Sequence, residues 1–262
     1  MTLTKLGTTL AAGVLVLAGS QASAAPAATG KPTIVLVHGA FAGSSSWNPV
    51  VTELQRDGYR VIAAANPLRS VAGDGDYVAR IVKSVAGPVI LVGHSYGGEV
   101  ITVAAVGATN VKALVFVAGI APDTGDSAAS LGAKFPTGTL GETLTKPVPQ
   151  ANGAGDVYID QAKYWAQFAA DMPKAAAMQM AVTQRPITQE ALGEALAAPA
   201  TWKTIPSWFV YGSLDKNIPA ELHAFMAKRA SAKATVEIKG ASHVVMLSHP
   251  HEVTQLIERA AQ

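Results

Sequence analysis

The feature that most constrains this chain of 262 residues is a serine caught between two different periodicities. Val89-Ile90-Leu91-Val92 is a continuous apolar run, as expected of a strand buried on both faces, and Glu99-Val100-Ile101-Thr102-Val103 reads as helix. Between them stands Gly93-His94-Ser95-Tyr96-Gly97, a G-x-S-x-G arrangement. A chain that turns from strand to helix so sharply must hold its middle residue at strained backbone angles. Small residues on both flanks let it pass close to its neighbours. The serine hydroxyl then projects above the end of the sheet, over a helix N-terminus that favours developing negative charge.

The strand-then-helix unit recurs along the chain. Further strands are expected at residues 33–37, 60–65, 88–92, 112–117, 207–211 and 235–238, and helices at 47–55, 77–85, 97–106, 220–230 and 251–260. That alternation predicts an α/β fold with a mostly parallel central sheet flanked by helices. From residue 122 to about 201 the rhythm breaks. A Gly/Pro/Thr-rich segment leads into Ala-rich helical sequence carrying Tyr164, Trp165, Phe168 and Met172, with no convincing strand. This stretch is expected to form a helical cap inserted into a single domain spanning residues 32–262.

The N-terminus stands apart. Lys5, the apolar run over residues 10–18 and Ala22-Ser23-Ala24 have the order of a secretory signal peptide, with cleavage expected after Ala24. The apolar run is shorter than the roughly 20 residues that span a bilayer, so no stable membrane anchor is expected after cleavage. Residues 25–31 read as a linker, and the product is expected to be secreted or periplasmic. Residues 1–24 hold Lys5 as their one charged side chain, and the remainder carries 19 basic against 18 acidic residues. With that balance and no basic block, no nucleic-acid partner is expected. The chain has no cysteine, which excludes disulfides, thiolate metal sites and a cysteine nucleophile. Oligomeric state is not legible.

A serine hydroxyl attacks poorly until a base takes its proton. Of the six histidines, His243 is the expected base, because Gly240-Ala241-Ser242-His243 follows the last strand and precedes the last helix, at the edge where α/β sites collect. His38 and His94 are expected to satisfy local hydrogen bonds, His223 to sit in a helix, and His249 and His251 to flank the start of the last helix. The base needs a carboxylate to fix its tautomer. Asp215, just after the strand ending at Tyr211, is the expected partner and completes the order Ser, Asp, His; Asp123, after the strand ending at Val117, is the alternative. Acyl transfer also needs oxyanion donors. The backbone N–H of Tyr96 is one, and the segment His38-Gly39-Ala40-Phe41 supplies the other, from Ala40 or alternatively Phe41. Phe41, Tyr164, Trp165 and Phe168 are candidate substrate-binding residues.

These segments, His38-Gly39-Ala40-Phe41 with Trp47, Gly93-His94-Ser95-Tyr96-Gly97-Gly98, Asp215 and His243, resemble the α/β-hydrolase superfamily. Within it they look like the branch of plant methyl esterases, hydroxynitrile lyases and bacterial carboxylesterases that include pyrethroid-hydrolysing enzymes. The resemblance covers nearly all of the chain after residue 31. It implies a Ser/Asp/His triad, a helical cap and no cofactor. Hydroxynitrile lyases of this type carry a lysine beside the catalytic histidine and a threonine in the oxyanion segment. Here Val244 and Ala40 stand in those places, which disfavours lyase activity.

The expected function is therefore that of a serine carboxylesterase acting on small to medium hydrophobic esters through an acyl-enzyme on Ser95, with a small-molecule partner and no metal. C–C bond, lactone or perhydrolase chemistry on the same residues is the alternative within the fold. A ligand-binding protein without turnover is the alternative of another class.

Overall fold

The structure is a computed structural model that describes residues 1–2, 30–151 and 153–262; all but the first two residues of the expected signal peptide, and most of the linker, lie outside the described residues. The strands are β1 (Thr33–Val37), β2 (Val61–Ala64), β3 (Val89–His94), β4 (Val111–Val117), β5 (Val148–Pro149), β6 (Gly155–Val157), β7 (Ile187–Thr188), β8 (Ser207–Gly212) and β9 (Ala234–Ile238). The first five helices are α1 (Asn48–Arg56), α2 (Val71–Ser84), α3 (Gly97–Ala104), α4 (Ala128–Lys134) and α5 (Gln161–Phe168). They are followed by α6 (Lys174–Thr183), α7 (Gln189–Gly193), α8 (Ala220–Arg229), α9 (Val245–Ser248) and α10 (Pro250–Ala260).

Six strands form one parallel sheet in the order β2-β1-β3-β4-β8-β9. Strands β1 and β3 are buried at every residue, which is why they read as unbroken apolar runs rather than alternating ones. With the right-handed crossovers expected between parallel strands, this strand order puts α1 on one face and α2, α3 and α8 on the other. Helix α10 returns to the α1 face, where it packs on α1 and against β4. The chain leaves β1 toward one edge of the sheet and leaves β3 toward the opposite edge. The carboxyl ends of β1 and β3 therefore flank the switch point where ligands of open α/β sheets collect.

Helix α2 begins at Val71, six residues before the expected start, because Ser70 caps it through a hydrogen bond from Gly73 N–H at 3.0 Å. Two glycines hide this turn of helix from a propensity reading. Gly75 is required by close packing: a Cβ there would lie 2.3 Å from a methyl carbon of Val103 on α3. The segment between β4 and β8 also departs from expectation. It is not wholly helical, for β5, β6 and β7 pair as a small antiparallel sheet. Strands of two or three residues carry too little alternation to be legible in sequence.

This segment is tied to the body at several points. Arg69 donates to Asp156 at 2.5 Å and to the Pro186 carbonyl at 2.9 Å, and the Glu194 carboxylate accepts from the N–H groups of Val71 and Ala72 at the start of α2. Among the described residues, no helix is long and apolar enough to cross a membrane.

Candidate active site

Ser95 leaves β3 at φ 53°, in the left-handed region that residues other than glycine rarely occupy. Its backbone is locked there: its N–H donates to the Val117 carbonyl at 3.3 Å, and its carbonyl accepts from Gly98 and Ile120 at 2.9 and 3.0 Å. The turn works only because Gly97 lacks a side chain, since a Cβ there would lie 2.5 Å from the Val37 carbonyl oxygen. The strain inferred from G-x-S-x-G is thus present at the expected residue.

His243 and Asp215 meet at the same end of the sheet, both fully buried side chains. Nδ1 of His243 donates to Oδ2 of Asp215 at 2.7 Å. The carboxylate takes three further donors: Nε2 of His223 at 3.2 Å on the same oxygen, and the N–H groups of Asn217 and Ile218 on Oδ1 at 2.8 and 3.0 Å. Burial alone would push Asp215 up; the neighbouring His243 and His223 outweigh it and hold the carboxyl well below the usual carboxylate range. Asp215 is therefore an anion, and both rings present N–H to it. Nε2 of His243 is buried and has no hydrogen-bond partner among the described residues, Ser95 included. His94, the residue before Ser95, lies 4.8 Å from His243 ring to ring and donates from Nε2 to the His243 carbonyl at 3.2 Å. Burial, reinforced by His243, pushes the His94 pKa well down, so the ring acts as a neutral prop.

Asp123, the alternative acid, lies elsewhere. It pairs with Lys203 at 2.5 Å near the surface. His249 and His251 face other carboxylates, Asp171 and Glu53.

The two readings of the second oxyanion donor also separate. Phe41 N–H is already given to the Arg185 carbonyl at 2.9 Å. Neither Ala40 N–H nor Tyr96 N–H has a partner among the described residues, although both residues are buried. Ala40, Tyr96 and Ser95 line one cavity of about 330 Å³. Its walls are apolar, with Ile120, Leu131, Phe135, Leu140, Phe168 and Leu222 prominent, and no charged residue lines it.

Of the four candidate substrate-binding residues, Phe41 and Phe168 line this cavity and Tyr164 and Trp165 do not. Tyr164 turns its hydroxyl to the Phe41 carbonyl at 2.9 Å, and Trp165 donates from its indole to the Met172 carbonyl at 3.1 Å. A helical face predicts which residues point inward but not whether inward means core or cavity. Sequence reasoning also missed His223 and Arg185. Each reaches the site from an element whose neighbours are set only by folding, and no local motif marks either. Among the described residues, no group of three or more His, Cys, Asp or Glu side chains forms a metal-sized cluster.

Comparison with known proteins agrees with this architecture. A model described as "Alpha/beta hydrolase family" matches residues 34–256. Norfluorocurarine synthase 2 of Strychnos sp is 27% identical over 251 residues, covering 85% of this chain and 92% of that protein. Esterase PIR7B of Oryza sativa subsp. japonica is 25% identical over 257 residues, covering 88% and 96%. The crystal structure of polyneuridine aldehyde esterase superposes with a TM-score of 0.76 at 19% identity, covering 89% of this chain and 100% of that one. Methylesterases and an alpha-hydroxynitrile lyase of Arabidopsis thaliana, and a pyrethroid hydrolase structure from Sphingobium faniae JZ-2, are also similar.

Proposed function

The chain belongs to the Alpha/beta hydrolase family, and from that premise we propose that it is a carboxylesterase in which Ser95 is the nucleophile, His243 the base and Asp215 the acid that orients it. The observation that carries this reading is the convergence on one uncharged cavity of Ser95 and the two unpaired, buried N–H groups of Ala40 and Tyr96. Buried backbone donors are almost always paired, so two orphans beside a strained serine read as a site awaiting an oxygen anion.

The chemistry follows from these atoms. Ser95 Oγ attacks the acyl carbon as its proton passes to Nε2 of His243, and Asp215 stabilises the imidazolium from the Nδ1 side. The former carbonyl oxygen becomes an anion held by Ala40 and Tyr96 N–H. When the tetrahedral intermediate collapses, the C–O bond to the alcohol breaks and His243 returns the proton to the leaving oxygen. Water then repeats the sequence on the acyl-serine, releasing the acid. The uncharged lining and the volume, near the small end of the roughly 300–1,000 Å³ of ligand pockets, favour small to medium hydrophobic esters. Val244, buried beside His243 where lyases of this type place a lysine, favours hydrolysis over lyase chemistry.

Incubation with a fluorophosphonate followed by peptide mass spectrometry should place the label on Ser95, and p-nitrophenyl esters of short acyl chains should turn over. A Ser95→Ala variant that kept wild-type turnover would sink this reading. Residues 1–24 are proposed, on their sequence alone, as an export signal; an N-terminus still at Met1 in protein recovered from the periplasm or medium would contradict it.

A further inference from the structure

The segment carrying Ala40 is held from the cap by hydrogen bonds whose directions are fixed by chemistry. Arg185 lies between α6 and β7, and its Nη1 stands 3.0 Å from Nε2 of His38. Nδ1 of the same ring stands 2.8 Å from the carbonyl oxygen of Gly39. A guanidinium only donates and a carbonyl only accepts, so Nε2 of His38 is bare and Nδ1 carries the proton. Burial, with the adjacent Arg185 charge, brings the His38 pKa down to about 4, which keeps the ring in this neutral form near pH 7.

The Gly39 carbonyl belongs to the same peptide unit as the Ala40 N–H. In a trans peptide the two point in opposite directions within one plane, so anchoring the oxygen aims the N–H. A donor on that oxygen also polarises the N–H on the other side. Arg185 acts a second time through its own carbonyl, which accepts from Phe41 N–H at 2.9 Å. The Tyr164 hydroxyl completes the hold by donating to the Phe41 carbonyl at 2.9 Å. Phe41 needs such restraint, because φ 59° is a conformation that a bulky residue keeps only when its surroundings impose it.

We infer that Arg185 is a positioning residue: it acts through the imidazole of His38 to aim the Ala40 N–H at the oxyanion, so that the cap completes the catalytic site as well as enclosing the cavity. The inference rests on the reading of Ala40 as an oxyanion donor in an esterase.

The test compares Arg185→Met, Arg185→Lys, His38→Leu and His38→Asn in the full-length protein, using a p-nitrophenyl ester and a trifluoromethyl ketone that mimics the tetrahedral intermediate. Arg185→Met should lower kcat about tenfold with KM little changed, against the roughly 100- to 1,000-fold of deleting a donor outright. Trifluoromethyl ketone affinity should fall by the same factor, and Arg185→Lys, which keeps a cationic donor, should recover part of both. His38→Asn, whose amide nitrogen takes the place of Nδ1, should stay more active than His38→Leu. Folded Arg185→Met protein with wild-type kcat and ketone affinity would overturn the inference, as would a change confined to thermal stability. Failure of the underlying esterase reading would show itself separately, as turnover that survives Ser95→Ala.

Discussion

A carboxylate shared by two imidazoles is the most consequential local arrangement in this protein. Asp215 must stay ionised in a site from which water is excluded, and four donors make that tenable. His223 is one of them, fully buried and stacked on Tyr211 with ring centroids 4.7 Å apart. Replacing it with leucine would leave Oδ2 with His243 alone, so the carboxylate would be less well solvated by the protein and freer to rotate. A charge-assisted hydrogen bond contributes roughly 1.5–3 kcal/mol, so His223→Leu should lower kcat/KM at least about tenfold. His223→Gln, which retains a donor, should lose less. Steady-state kinetics of the two variants decide it, and equal activity in both would mean that His223 merely fills space.

Among the elements, α2 is one whose first turn is completed from the cap. Its first N–H groups are satisfied by Ser70 within the body and by Glu194, which follows α7 in the inserted segment. The carboxylate also sits where the helix dipole favours negative charge. Glu194→Ala should therefore destabilise the protein by about 1 kcal/mol, as removal of a good N-cap does. Urea denaturation measures this, and an unchanged midpoint would show that solvent replaces the carboxylate without loss. The same contact explains why α2 was only half visible in sequence. The periodic part from Tyr77 was legible, whereas the first turn depends on a glutamate more than a hundred residues away and on a glycine chosen for packing against α3.

For the whole molecule, buried histidines link stability to pH. His38, His94 and His223 all have pKa values pushed down, chiefly by burial. A folded-state pKa below the unfolded one means that the unfolded chain binds more protons as the solution is acidified. The stability due to neutral His38 is then complete above about pH 6.5 and is lost as pH falls toward about 4. Between pH 7 and 5, His38 alone should account for a loss of about 2 kcal/mol. Glu99, buried and pushed up chiefly by desolvation, has the opposite sign: it destabilises increasingly as pH rises above its ordinary range. With three histidines against Glu99 and Asp74, whose carboxyl burial also pushes up, the urea midpoint should be lower at pH 5 than at pH 7, and a higher midpoint at pH 5 would contradict the assignment. On the same scale, the sequence by itself determined the sheet's inner strands, the helices that follow them and the turn at Ser95, because each depends on residues adjacent in the chain whose apolar period, strain or smallness is local. It also brought forward Asp215 and His243, through their places after β8 and β9. Only the tertiary structure decided that Ala40 rather than Phe41 keeps a free N–H, that Phe168 faces the cavity while Tyr164 braces Phe41, and that His223 and Arg185 reach the site. Those outcomes turn on which distant group claims each donor first, and hydrogen-bond competition between segments far apart in sequence leaves no trace in the local pattern of either one.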